Sequence, residues 1–145
     1  MSETREMQLL NTIPGVGDIL SVVIALEIGE VDRFGRAEQL ASYSGTVPRI
    51  KSSGGRAYFG KVLPEVNRYL KWAFIETANV IVLHQARMPY SHAVQLYTRI
   101  RHKKGHAKAV VALARHLAEA AFWVLSKGEA YREPLRKQVV SSTQG

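Results

Sequence analysis

The chain has 145 residues, of which 46% are apolar and 22% are charged, as in a single globular domain with a hydrophobic core. It contains no cysteine, which excludes disulfides and thiolate metal sites. Its formal net charge of +8 favours an anionic polymer as partner if the charge is also clustered.

The charge is distributed unevenly along the chain. Seven of the twelve acidic residues lie within the first 38 positions. Residues 77–118 contain no Asp or Glu, yet they hold seven Lys or Arg and all five His. This asymmetry favours a nucleic-acid partner over a basic surface that only keeps the protein in solution.

Neither a signal peptide nor a membrane span is predicted. The segment MSETREM is polar, and charged residues such as Glu27 and Arg115 interrupt the longest apolar stretches, residues 19–28 and 110–125. The sequence therefore predicts a cytoplasmic protein with no membrane partner.

Three short helices are predicted in the first third of the chain. The first covers residues 3–11, and the turn at residues 13–17 separates it from a second helix that begins at Asp18 and stops at Gly29. The third covers residues 35–43 and has apolar residues at helical spacing.

Residues 44–64 contain glycines and two prolines without sustained periodicity, which is typical of a long loop or short hairpin. An amphipathic helix follows over residues 65–87. Pro89 is predicted to open the next helix, which ends in a basic run at Gly105. A last, most apolar helix is capped by Gly128.

The predicted fold is all-α, a compact domain of five to six helices that contains a helix-hairpin-helix turn and a long Gly-rich loop. Residues 1–131 form this domain in the prediction, and residues 132–145 form a disordered polar tail. No internal repeat is present in the sequence.

The Ile-Pro-Gly-Val-Gly turn at residues 13–17 has the form of a helix-hairpin-helix motif. Gly15 and Gly17 would let the backbone pass close to a phosphate, and free N–H groups at the next helix start would point at the anion. Such contacts read no base sequence. A tight turn that needs glycine only for helix packing is the alternative.

Two serines, Ser52 and Ser53, lie in the Gly-rich loop among cations. Nearby cations favour both phosphate binding and alkoxide character of a serine. No general base is adjacent in sequence, so an ordinary solvated loop is the alternative. The cations that flank the serines are Arg49, Lys51 and Arg56.

Two further basic clusters are candidates for nucleic-acid contacts. Asn67, Arg68 and Lys71 lie on the first turns of the long helix, where the two cations share one face. Residues 99–108 contain five cations, and Tyr97 is a candidate stacking ring. Alternatively, the cations of this second cluster only stabilise the negative, C-terminal end of the helix dipole. The contacts predicted in it are Arg101, Lys103, Lys104 and Lys108.

His102 and His106 are four residues apart, the spacing of some metal ligands. Gly105 lies between them, and neither a carboxylate nor a cysteine accompanies them. We therefore predict no metal site in this chain.

Several longer motifs occur in one order along the chain. They are Ile-Pro-Gly-Val-Gly at 13–17, Glu-Ile-Gly-Glu at 27–30 with Arg33-Phe34, Leu-Ala-Ser-Tyr-Ser-Gly-Thr-Val-Pro at 40–48, Lys-Ser-Ser-Gly-Gly at 51–55, Asn-Arg-Tyr-Leu-Lys-Trp-Ala at 67–73 and Lys-Ala-Val-Val-Ala-Leu-Ala-Arg at 108–115. Over about residues 8–131 the sequence resembles the C-terminal domain of the DEDD-type insertion-sequence transposases. These are relatives of the Piv DNA invertase and include bridge-RNA-guided recombinases.

The resemblance implies that two domains of the protein contribute different groups to one reaction. An N-terminal RNase-H-like domain would bind Mg²⁺ through four acidic residues, and a serine of the C-terminal domain would link covalently to DNA. Ser53 matches that serine and Ser52 is the second choice, so Arg49, Lys51 and Arg56 would hold the neighbouring phosphate.

By this resemblance the chain needs no cofactor of its own, and it would bind DNA or a structured guide RNA without recombining DNA unaided. Two alternatives remain open from the sequence. The chain could be a stand-alone helix-hairpin-helix module without chemistry, or a helical module that forms a homo-oligomer through its apolar faces.

Overall fold

The computed structural model describes residues 4–47 and 66–134, and in these ranges the chain is helical with no strand. This confirms the predicted all-α class. The α-helices are α1 (Arg5–Leu10), α2 (Asp18–Ile28), α3 (Ala37–Tyr43), α4 (Arg68–Leu83), α5 (His92–Lys104) and α6 (His106–Lys127). Short 3-10 helices cover Val31–Arg33 and Gln85–Arg87.

Helix α6 is the centre of the fold. It packs against α1, α3, α4 and α5 and buries nine side chains, among them Leu113, Leu117 and Phe122. Its length and composition would also allow it to cross a membrane, but the core helices of globular proteins pass the same test. Its packing on four other helices makes α6 a core helix of this bundle.

Side-chain caps set the first residues of three helices. The side-chain oxygens of Thr4, Asn67 and Ser91 accept hydrogen bonds from N–H groups in the first turns of α1, α4 and α5. The prediction that Pro89 opens α5 is therefore wrong. Helix α5 begins after Ser91, whose hydroxyl oxygen accepts from the N–H of Val94 at 3.2 Å.

Helices α2 and α4 lie side by side in opposite directions. The turn before α2 contacts the second half of α4, where a Cβ atom on Gly15 would be 2.9 Å from the carbonyl oxygen of Thr77. At the other end, the Nδ2 atom of Asn67 donates to Oε1 of Glu27 at 2.9 Å. The 11 residues of α2, a length of about 16 Å, separate the two contacts.

Helices α5 and α6 form an antiparallel hairpin around Gly105, whose φ of +92° favours glycine. After α6, the chain crosses back over the bundle. The N–H of Tyr131 donates to Oγ1 of Thr12 at 2.8 Å, and the N–H of His92 donates to Oε1 of Glu133 at 2.9 Å. The far end of α6 from Gly105 is thereby tied to the α1–α2 turn.

Candidate nucleic-acid interface

The two glycines of the α1–α2 turn have different surroundings. Gly15 has a φ of +85° and is packed against α4, where a Cβ atom would lie within 3.0 Å of Thr77 and Ile81 atoms. Gly17 is exposed, and a Cβ atom there would meet nothing within 4 Å. Only Gly17 is therefore open to a ligand, while Gly15 is needed for packing.

The start of α2 carries a negative charge of its own. Asp18, the first residue of α2, is exposed, and its Oδ1 atom accepts from Nδ2 of Asn11 at 3.4 Å. A carboxylate in the first turn stabilises the helix by interaction with its dipole, and it repels a phosphate at the same position. This lowers the capacity of the turn to bind an anion.

We expect Gly15→Ala to lower the free energy of unfolding by about 2–4 kcal/mol, because it combines a left-handed φ with an overpacked contact on α4. Gly17→Ala should cost about 1 kcal/mol or less, the usual loss at an N-cap. Urea unfolding of both variants measures the difference. Equal losses would contradict the assignment of Gly15 to packing.

Asn67 uses both ends of its side-chain amide inside the protein. Its Oδ1 atom caps α4 by accepting from the N–H groups of Tyr69 and Leu70. Its Nδ2 atom donates to Oε1 of Glu27 at 2.9 Å and to the hydroxyl of Tyr43 at 3.2 Å. The predicted contact of Asn67 with nucleic acid would have to displace these bonds. Its neighbours Arg68 and Lys71 are exposed.

Arg33 completes the polar cluster around Asn67. Its guanidinium donates to the carbonyls of Glu27 and Ile28 at the end of α2 and lies over the rings of Phe34 and Tyr43. The hydrogen bond from Asn67, followed by the effect of Arg33, lowers the pKa of the Tyr43 phenol from its ordinary value of 10.0.

This cluster lies where the chain enters and leaves the segment of residues 48–65. The N–H of Asn67 donates to the carbonyl oxygen of Tyr43 at 2.8 Å. A Cβ atom on Gly45 would be 2.7 Å from a methyl group of Val66. The predicted site residues Arg49, Lys51, Ser52, Ser53 and Arg56 belong to this segment and lie outside the described residues.

A second cluster of cations surrounds the turn between α5 and α6, and we call it the basic turn. Its five members are all exposed, and neither ion pair formed by the described residues, Arg36–Glu38 or Arg115–Glu119, includes one of them. The members are Arg99, Arg101, Lys103, Lys104 and Lys108.

The N-terminus of α6 adds to the positive potential at the basic turn, whereas the C-terminus of α5 brings the negative end of a helix dipole that the cations there offset. Helix α6 begins there without a side-chain cap and without an acidic residue in its first turn. Its first N–H groups and the positive end of its dipole therefore face the surrounding cations. An anion bound at this point would relieve both the unpaired donors and the repulsion among the cations.

Tyr97 does not serve as the predicted stacking ring. It is 4% exposed, and its hydroxyl is 2.8 Å from Nδ1 of His106. Buried in the α5–α6 hairpin, it fixes the turn that displays the cations. Among the described residues, no group of three or more His, Asp or Glu side chains is placed to hold a metal ion.

Glu27, Arg33 and Tyr43 were not among the predicted site residues. Glu27 gave a readable signal, because a carboxylate at an inward position of an apolar helix requires a polar partner. The identity of that partner depends on a contact between residues 40 positions apart, which local periodicity cannot reveal.

The fold and its surface define a small, all-helical domain with a concentrated cationic edge and a polar cluster at the base of a glycine-rich segment. A sequence profile of the family described as Transposase IS116/IS110/IS902 matches residues 7–93, more than half of the chain. The chain belongs to this transposase family.

Individual relatives agree with the family assignment. The chain is 28% identical over 128 residues to the transposase for insertion sequence element IS1111A of Coxiella burnetii, a match over 88% of the chain and 35% of the relative. It is 32% identical over 125 residues, 85% of the chain and 29% of the relative, to the 43.6 kDa protein of insertion element IS110 of Streptomyces coelicolor. The chain thus spans about a third of the length of these relatives.

Proposed function

We propose that this chain is the DNA-binding, serine-bearing C-terminal domain of a transposase, and that the basic turn is its principal contact with the phosphate backbone. The observation that carries the proposal is the set of five exposed cations around the turn between α5 and α6, none of which forms an ion pair with a carboxylate among the described residues. Cations displayed in this way release counterions when they neutralise phosphates.

The other predicted contacts extend this surface along the backbone of a nucleic acid. Arg68 and Lys71 are exposed on the first turn of α4, beside the segment that carries Arg49, Lys51 and Arg56. The α1–α2 turn contributes less, because Gly15 is packed inside and Asp18 repels phosphate. Binding through these groups is independent of base sequence.

Ser53, with Ser52 as second choice, supplies the nucleophile in this proposal. Its Oγ atom attacks a phosphodiester, forms a phosphoserine bond and releases the hydroxyl of the cleaved strand. Mg²⁺ held by an RNase-H-like domain would activate the phosphate, so in this proposal the present chain alone binds DNA without breaking it. Relatives about three times as long as the matched region leave room for such a domain.

The same basic turn suits a structured guide RNA as well as DNA, because both present a phosphate backbone. A cytoplasmic location follows from these partners in the proposal.

Oligomerisation is a second candidate role, favoured by the outward face of α2, where Ile19 is 75% and Leu26 is 69% exposed.

The test is fluorescence anisotropy of labelled duplex DNA and of a hairpin RNA with this chain over a salt series. If about four phosphates are contacted, affinity should fall about 100-fold between 50 and 200 mM salt. Light scattering of the same samples reports self-association. Binding without salt dependence, or no binding together with dimer formation, would favour an assembly module that uses the α2 face.

A further inference from the structure

We propose that Tyr69 and Trp72, on the outward face of α4, form a platform on which unpaired bases of a nucleic-acid strand stack. The inference rests on the proposed function, because it adds the bases of a strand to the phosphates assigned to Arg68 and Lys71. A base can stack on an aromatic side chain only where it is not already stacked inside a duplex. The platform therefore gives this domain a preference for nucleic acid that contains an unpaired segment.

The first argument is that two large rings are exposed together on one helix. Tyr69 is 65% exposed and Trp72 is 49% exposed. Residues three apart on a helix are neighbours on its surface, so the two side chains present one aromatic area to the solvent. By contrast, Phe74 on the inward side of the same helix is fully buried in the core. The exposure of Tyr69 and Trp72 points to a partner that covers them.

The second argument is that both rings are unoccupied by the part of the chain that the structure describes. Within residues 4–47 and 66–134, no aromatic ring or cation is paired with Tyr69 or Trp72, and no hydrogen bond engages their side chains. The other tryptophan, Trp123, is similarly exposed at 51%, but its ring is engaged. The ring of Phe122 is perpendicular to it at 5.1 Å, and Nζ of Lys127 is 5.3 Å from its centroid.

The third argument is the charge around the two rings. Arg68 and Lys71 are exposed on the same turns, the first turn of α4 contains no acidic residue, and neither cation forms an ion pair with a described residue. Cations interleaved with aromatic rings are typical of proteins that bind single strands. A second copy of the chain, paired face to face at this surface, would bring like charges together. Glu76, one turn beyond Trp72, limits the platform, because its carboxylate repels phosphate.

The first test measures the affinity of the full chain for unpaired and paired probes by fluorescence anisotropy. The probes are an oligothymidylate and an oligouridylate of about 12 nucleotides and a DNA duplex of the same length. Trp72→Leu keeps an apolar side chain without a ring, so it should weaken binding of the single strands about ten-fold, whereas Trp72→Phe should retain most of the affinity. Trp123→Leu is the matched control, which removes a similarly exposed tryptophan outside the platform.

The second test reports on the indole itself. The chain has two tryptophans, so Trp123→Phe leaves Trp72 as the only one. We expect the single strands to quench the emission of Trp72 with the Kd that anisotropy gives. Quenching by either strand supports the platform, and the strand that binds more tightly identifies DNA or RNA as the source of the bases.

Equal losses in Trp72→Leu and Trp123→Leu, or unchanged single-strand affinity in Trp72→Leu, would overturn the platform, even where the duplex binds with the expected dependence on salt. A Trp72 emission that changes with protein concentration alone would show that a second copy covers the rings, and would overturn it too. Conversely, quenching of Trp72 by single strands without salt-dependent binding of the duplex would overturn the proposed function and not the platform. A chain that binds none of the probes would overturn both.

Discussion

The double variant Lys103→Glu/Lys104→Glu is expected to lose about 100-fold in affinity for duplex DNA at 100 mM salt, because two phosphate contacts become repulsive. Both lysines are exposed on the last turn of α5 and form no ion pair with residues 4–47 or 66–134, so no ion pair within these ranges is lost. The variant should also show a shallower dependence of affinity on salt. Fluorescence anisotropy measures both quantities.

A matched charge reversal distinguishes a local phosphate contact at the basic turn from attraction of DNA by the net charge of the whole domain. Lys127→Glu/Arg132→Glu changes the net charge by the same amount, but at the far end of α6 from the basic turn. We expect this control to lose less than about ten-fold, the contribution of long-range attraction at this ionic strength. Equal losses in the two variants would show that net charge, and not the basic turn, determines binding.

Glutamates at the C-terminal end of α5 also interact unfavourably with the dipole of that helix, which lowers the free energy of unfolding by about 1 kcal/mol. Thermal unfolding by circular dichroism is therefore part of the measurement. Because the buried Tyr97 connects the two helices of the hairpin through its hydroxyl contact with His106, we expect both variants to remain folded at 25 °C.

The sequence predicted most helices because their signals are local. Apolar spacing identified α2, α4 and α6, and Gly29 and Gly128 end α2 and α6 with the positive φ values that favour glycine. The start of α5 was misplaced because Pro89 and Ser91 both carry initiation signals. The hydrogen bond that decided between them forms only in the folded turn.

The candidate site was less predictable, since it depends on which residues the fold brings together. The basic turn was visible as a run of cations, and the structure adds that none of them has an acidic partner in the part of the chain that it describes. The polar cluster around Asn67 was not visible, because Glu27, Tyr43 and Asn67 come from three helices. Likewise, burial of Tyr97 and packing of Gly15 changed the roles expected for both residues.

Stability at low pH should depend strongly on His116. Burial in the bundle, and to a lesser degree the neighbouring His92, lowers the pKa of His116 to about 4 from its ordinary 6.5. The imidazole rings of the two histidines are 4.7 Å apart, and Nε2 of His116 is 3.4 Å from the hydroxyl of Tyr131. The folded protein therefore holds His116 neutral in conditions where the unfolded chain protonates it.

The sign of the effect follows from proton linkage. Between about pH 6.5 and pH 4 the unfolded state binds more protons at this site, so the contribution of His116 to stability is complete above pH 6.5 and is lost as the pH falls toward 4. We expect a loss of about 2–3 kcal/mol between pH 7 and pH 4.5, a large part of the stability of a domain of this size.

Urea unfolding at a series of pH values measures this loss, and His116→Gln should remove most of it. His102→Gln, the same substitution at an exposed position of the basic turn, is the matched control. A His116→Gln variant that is as acid-sensitive as the wild type would place the titrating group elsewhere.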